Sequence, residues 1–138
     1  MEIILAENHG FCYGVKRAVE MANEAAEGKG KSYTLGPIIH NPQVVGRLES
    51  KGVSPIQEVA DIDEGTMIIR SHGVGPAIYA EAEEKGLHIL DATCPHVKKA
   101  QQDAKSVIED GMTLVILGEK NHPEVKSINL WANNKGII

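Results

Sequence analysis

Apolar and polar positions fall into blocks whose period keeps changing along the chain, and the changes mark out its elements. Between residues 14 and 27, Val15, Ala18, Val19, Ala22 and the Ala25/Ala26 pair return every three or four positions, which places them on one face of a helix. Gly28-Lys29-Gly30 follows where such a helix stops. A short helix is predicted around Pro42, carrying Val44, Val45 and Leu48 and closed by Gly52, and another over 76–85, stopped by Gly86. A longer one is expected over 96–110, ahead of Gly111, and a last one from Pro123 to about residue 132. Between them lie apolar runs as short as buried strands, at 2–6, 32–35, 66–70, 87–90 and 113–117, with 136–138 resembling the opening of one more. Residues 53–65 are the least regular stretch and read as a wrap over the surface.

Strands alternating with helices indicate βαβ units, hence an α/β fold with a mainly parallel sheet and flanking helices. A chain of 138 residues fits one domain, or one domain and the start of a second. The last apolar run breaks off after two residues, as expected of part of something longer. With one Trp, one Phe and three Tyr, the core falls to Ile, Val, Leu and Ala. A formal charge of −5 argues against a general nucleic-acid binder, though it leaves room for a local positive pocket. No stretch approaches the roughly 20 apolar residues of a membrane-spanning helix, and the N-terminus lacks the basic start of a signal peptide. The expected location is the cytoplasm, where two cysteines serve as free thiols, catalytic groups or metal ligands rather than as a disulfide.

In an open parallel sheet the carboxyl ends of the strands share one edge, so residues distant in sequence meet there. Cys12, Cys94, His40, His72 and His122 each follow a predicted strand. Cys12 lies just ahead of a helix start, whose N–H groups and positive end favour thiolate; it could equally be a small buried residue in a tight turn. Cys94 forms a Cys-Pro dipeptide of the kind that recurs around iron–sulfur clusters. The same segment also fits an ordinary turn, with Thr93 as helix cap and Pro95 as the first helical residue. Three histidines in equivalent loops are hard to ascribe to separate accidents, and imidazoles near helix starts are good donors to phosphate oxygens. Glu124, two residues after His122, could relay protons or simply favour the helix dipole. His88 and His96 read as structural and His9 stays open, while Lys16-Arg17, Lys98-Lys99 and Glu81, Glu83 and Glu84 read as solvated helix faces. A metal or iron–sulfur site beside an anionic substrate, a non-catalytic diphosphate-binding module, and a zinc site of both cysteines plus a histidine all remain open. A dimer pooling its cysteines is a further possibility.

Five ordered segments carry a resemblance: Gly10-Phe11-Cys12-Tyr13-Gly14-Val15, Gly36-Pro37-Ile38-Ile39-His40-Asn41, Arg70-Ser71-His72-Gly73, Asp91-Ala92-Thr93-Cys94-Pro95 and His122-Pro123-Glu124-Val125. Together they resemble the 4-hydroxy-3-methylbut-2-enyl diphosphate reductase family. The resemblance implies the first lobe of a three-lobed α/β protein, with 1–95 as that lobe and 96–138 as the start of the second. It implies a [4Fe-4S] cluster with Cys12 and Cys94 as two of three cysteine ligands, the third not being in this chain. It further implies that His40, His72 and His122 hold an allylic diphosphate, that Glu124 supplies protons, and that a ferredoxin- or flavodoxin-like protein supplies electrons. The implied reaction is reductive dehydroxylation to isopentenyl and dimethylallyl diphosphates. Family members run to about twice this length, as two or more domains' worth of chain would suggest, so the chain by itself is expected to hold a cluster weakly.

Overall fold

The computed structural model describes every residue except Lys29. Four strands, β1 (Ser32–Leu35), β2 (Val53–Ile56), β3 (Thr66–Ile69) and β4 (His88–Asp91), form one sheet in the order β2-β1-β3-β4. Every pairing is parallel, with Ser32 opposite both Val53 and Thr66, and Thr66 opposite His88. This is the α/β architecture expected from the alternating pattern. Helices α1 (Tyr13–Glu27), α2 (Pro42–Ser50), α3 (Pro76–Glu84), α4 (Pro95–Glu109) and α5 (Pro123–Trp131) follow the predicted blocks closely. Gly28 caps α1 as predicted, while Lys29 in the same stop signal lies outside the described residues.

Side chains along a strand point alternately to its two faces, so β3 divides its residues between two apolar layers. Ile68 joins Ala18 and Ala22 of α1, Leu48 of α2, and Ile38, Ile39, Val53 and Ala92 on one face. Met67 and Ile69 join Leu35, Val59, Ile62, Val74, Leu87 and Ala82 of α3 on the other. All three β3 residues are fully buried because both faces are covered, the normal condition of a parallel sheet. The small alanines of α1 let that helix lie close against the strands.

Four expectations need correction. Residues 53–65 are not a surface wrap: they contain edge strand β2 and a 3₁₀ turn, Val59–Asp61, whose Val59 is buried. Pro55 disguised the strand, since proline breaks a central strand but is tolerated on an edge. Residues 2–6 form no strand, and Ile3, Ile4 and Leu5 are 75%, 84% and 77% exposed. An apolar run specifies that something should cover it, not what; here α1, α2 and α3 already occupy the faces of the sheet. Residues 113–117 and 136–138 likewise form no strand beyond one parallel bridge, Val115 with Ile137. His88, expected inside a strand, is the exposed first residue of β4.

Because Ile68 touches packed atoms on every side and Ile4 touches little, their substitutions should separate. Ile68→Ala is expected to lose about 2–5 kcal/mol in chemical denaturation, whereas Ile4→Ser should stay within about 0.5 kcal/mol.

Candidate functional site

The loops that leave the carboxyl ends of β1, β3 and β4 are stitched together by one residue. Buried Ser71 donates from its backbone N–H and from its Oγ to the Ile38 carbonyl, at 3.3 and 3.2 Å. Its own carbonyl accepts from the Cys94 N–H at 3.0 Å. The β1 loop is held further by Ile38 and Ile39, which sink into the core and leave His40 exposed at the mouth. Asn41 then caps α2, its side chain accepting from the Val44 N–H at 3.1 Å.

His72 sits between Ser71 and Gly73, which turns the chain at φ +72°. A side chain on Gly73 would collide with the amide of Gln101, so only glycine lets α4 approach this loop. Gln101 is buried and donates to Ser127 Oγ at 3.2 Å. That hydroxyl lies 2.8 Å from the His72 carbonyl and 2.9 Å from the Glu124 carbonyl, and donates to one of them at a time. Gln101 and Ser127 thereby lock the His72 loop to the helix that carries His122 and Glu124.

The outcome is a cluster of three imidazoles. Ring centres lie 4.4 Å apart for His40 and His72, 5.8 Å for His40 and His122, and 5.7 Å for His72 and His122. One nitrogen from each falls within 4.8 Å of the other two, close enough to be drawn around a single metal ion or anionic group. His122 caps α5, its Nδ1 accepting from the Glu124 N–H at 3.3 Å. In the neutral ring the proton therefore resides on Nε2, which becomes a donor. A donor suits phosphate oxygen better than it suits a metal, which needs a lone pair. Burial, followed by the nearby charges of His40, Arg70 and His122, pushes His72 down to about 4, so this imidazole stays neutral at physiological pH.

The cysteines occupy equivalent positions at the same end of the sheet. Cys12 is the N-cap of α1 and Cys94 the N-cap of α4, both are free, and the positive ends of two fifteen-residue helices face them. Cys94 thus takes the capping place expected of Thr93, which is buried one residue earlier. The two turns adjoin: a Cβ on Gly14 would stand 2.5 Å from Cys94 Sγ, so glycine at this position is what lets α1 begin against the second thiol. Neither sulfur joins the histidines in a group close enough to share one ion among the described residues, so the zinc site of both cysteines and a histidine is not formed. Glu124 lies in the first turn of α5, half-buried and without an ion pair among the described residues.

Two side chains expected on solvated faces are anchors instead. Lys98 pairs with Asp91 at 2.6 Å, and Tyr79 donates to the same carboxylate at 3.0 Å. Burial alone would raise Asp91, yet the Lys98 ammonium and the donors around it hold its carboxyl below the usual range. Burial, then the Asp91 charge, pushes Tyr79 upward, so its hydroxyl remains a donor. Arg17 donates to the Thr93 and Asp91 carbonyls, tying α1 to the loop that carries Cys94. Gln101 had a legible signal: it falls in the buried stripe Val97, Gln101, Ala104 of α4, a polar residue where an apolar one is due. Ser127 had none.

Two measurements check this geometry. Gln101→Leu should lose about 1–3 kcal/mol in denaturation, because Ser127 is left buried without its donor. Stability should fall as pH drops from the ordinary histidine value of 6.5 toward about 4 and level off below, since over that window the unfolded chain binds a proton that folded His72 refuses. His72→Gln should flatten that part of the curve.

The LytB protein family matches this chain over residues 3–138. A 4-hydroxy-3-methylbut-2-enyl diphosphate reductase of Geotalea uraniireducens (strain Rf4) is 53% identical over 138 residues, covering all of this chain and 49% of the relative. The enzyme of that name from Geobacter sulfurreducens (strain ATCC 51573 / DSM 12127 / PCA) is 54% identical over 132 residues, 96% of this chain and 47% of the relative. Among solved structures, an (E)-4-hydroxy-3-methyl-but-2-enyl diphosphate reductase described as the terminal enzyme of the non-mevalonate pathway superposes with a TM-score of 0.84 at 48% identity, over 98% of this chain and 50% of its own. The Plasmodium falciparum E-1-hydroxy-2-methyl-but-2-enyl-4-diphosphate reductase superposes with a TM-score of 0.91 at 32% identity, over 96% of this chain and 42% of its own. The chain therefore spans about half the length of the relatives it matches. Likeness at this level, in sequence and in backbone course alike, makes the kinship plain: the chain belongs to the LytB protein family.

Proposed function

We propose that this chain forms the first part of an iron–sulfur oxidoreductase that reduces 4-hydroxy-3-methylbut-2-enyl diphosphate to isopentenyl and dimethylallyl diphosphates in the cytoplasm. In this reading residues 1–95 are the first of three lobes and 96–138 open the second. The observation that carries it is the convergence of three imidazoles, one fixed by its cap as an Nε2–H donor, at the end of the sheet where two cysteines cap helices. Nothing in that arrangement is needed merely to pack a sheet.

Each residue then has a task. His122 offers Nε2–H to a diphosphate oxygen, and His40 and His72 flank the same group. Neutral His72 donates without bringing a second fixed charge into the crevice. Cys12 and Cys94 would hold a [4Fe-4S] cluster in part. The donor set fits, since both are free thiols at positive helix ends and Gly14 lets the two turns meet. When bound, the cluster would deliver two electrons one at a time, taken from a ferredoxin- or flavodoxin-like donor. The overall reduction consumes two protons, one that leaves with the hydroxyl as water and one that forms the new C–H bond, and the Glu124 carboxyl, next but one to His122 and unpaired among the described residues, is placed to supply one. The loops stitched at Ser71 hold these groups still, which is the protein's share of such chemistry.

A second reading keeps the crevice but replaces the substrate with a metal: three imidazoles within 4.8 Å would also take zinc once the rings close and His122 changes tautomer. Two experiments separate these. In the complete protein, Cys12→Ala or Cys94→Ala should lower cluster iron and sulfide to near zero; unchanged content would refute their role. In the metal-free chain, inorganic diphosphate should bind measurably and lose at least tenfold in affinity on His40→Ala/His72→Ala. Zinc that binds stoichiometrically and abolishes diphosphate binding, with no such loss in zinc-free protein, would favour the second reading.

A further inference from the structure

On the other side of the His72 loop an open cleft of about 270 Å³ runs between α5 and the turns after β1 and β3. Arg70 and Lys126 line it, together with Gly36, Gly73, Gly75 and Gln57, and no Asp or Glu does. Arg70 is the unusual member. Its Nε is buried with no hydrogen-bond partner, and its guanidinium makes neither a hydrogen bond nor an ion pair among the described residues. Gly36, at φ +71°, lies so close that a Cβ would stand 2.8 Å from Arg70 Nη1, so the glycine both turns the loop and makes room for the guanidinium. A half-buried cation with no counter-ion is an unfavourable arrangement, and its partial burial eases its proton affinity below the ordinary value. The remaining arginine beside an interior loop, Arg17, has both of its near carbonyls as acceptors, so Arg70 is not simply following the habit of this fold.

We infer that the Arg70–Lys126 cleft is an anion-binding site, separate from the histidine crevice and built to take a phosphate- or carboxylate-bearing group. The guanidinium offers a planar fork of donors that matches either oxyanion. Exposed Lys126 adds a second positive charge at the rim. Two sources share that chemistry. One is a free phosphate or phosphoester; the other is a carboxylate presented by a polypeptide. The inference does not depend on the proposed reductase activity, because none of its residues belongs to the set assigned to diphosphate, cluster or proton delivery.

The test is a heteronuclear NMR titration of the isotopically labelled chain with inorganic phosphate and, separately, with acetate at matched ionic strength, in a His40→Ala/His72→Ala background that removes the crevice. Saturable shifts at the Gly73 and Gly75 amides and the Arg70 Nε–H are expected, at least tenfold weaker in Arg70→Gln and reduced in Lys126→Gln. Shifts with phosphate alone would assign the cleft to a phosphorylated small molecule, and shifts with both would admit a polypeptide carboxylate. Thermal melting guards against a variant that fails to fold: Arg70→Met should raise the Tm without added anion and abolish the Tm gain that phosphate gives the parent. Shifts that persist in Arg70→Gln, or a phosphate-independent Tm that falls in Arg70→Met, would overturn the assignment.

Discussion

Everything at the functional edge depends on how Ser71 distributes three hydrogen bonds. Its N–H and hydroxyl both reach the Ile38 carbonyl, and its carbonyl receives the Cys94 N–H. One buried residue therefore sets the spacing between the loop that carries His40, its own neighbour His72, and a thiol at the head of α4. In a buried setting each of these bonds matters more for what its loss would leave unsatisfied than for its own strength. The arrangement explains why loops leaving three different strands behave as one rigid rim.

A second layer of fixation comes from α4 and α5. Gln101 reaches across from α4 to Ser127, and Ser127 reaches to the His72 loop, so the histidine cluster is assembled from both ends of the chain. The same packing accounts for the electrostatic character of the site. His72 is desolvated by the elements that hold it, and the adjacent positive groups oppose its protonation further. His122 is fixed in one tautomer by the helix that it caps. His122 held in this way presents an oriented Nε2–H donor, and taking a metal through that nitrogen would require it to change tautomer.

The apolar residues left in the open have a common physical basis. Ile3, Ile4, Leu5, Val115 and Leu117 have the composition of buried strand residues, and all are largely exposed. Both layers of the sheet are already filled by helices of this chain, so nothing in the described fold covers them. The chain spans about half the length of its relatives, and the exposed runs lie near its two ends rather than on the helices that protect the sheet.

Local periodicity by itself determined the five helices, three of the four strands and the mainly parallel character of the sheet, because each helix or strand buries a face whose spacing is written in consecutive residues. It also singled out Cys94, His40 and His72 for the right reason, since loops after strands in such a sheet point to one edge, whereas Cys12 and His122 follow runs that form no strand and reach the site as the N-caps of α1 and α5. Only the tertiary structure decided the rest. Pro55 hid an edge strand whose tolerance of proline depends on having no neighbour on that side. The run 2–6 has the pattern of a strand but no surface to pair with in this fold. Lys98 and Arg17 look solvated in a helix pattern, yet they reach partners on other elements. Ser71 contacts a residue 33 positions away, and Ser127 one 55 positions away. Contacts at that separation leave no periodic trace in the chain, because they arise from how the finished layers stack rather than from the conformation of any one segment.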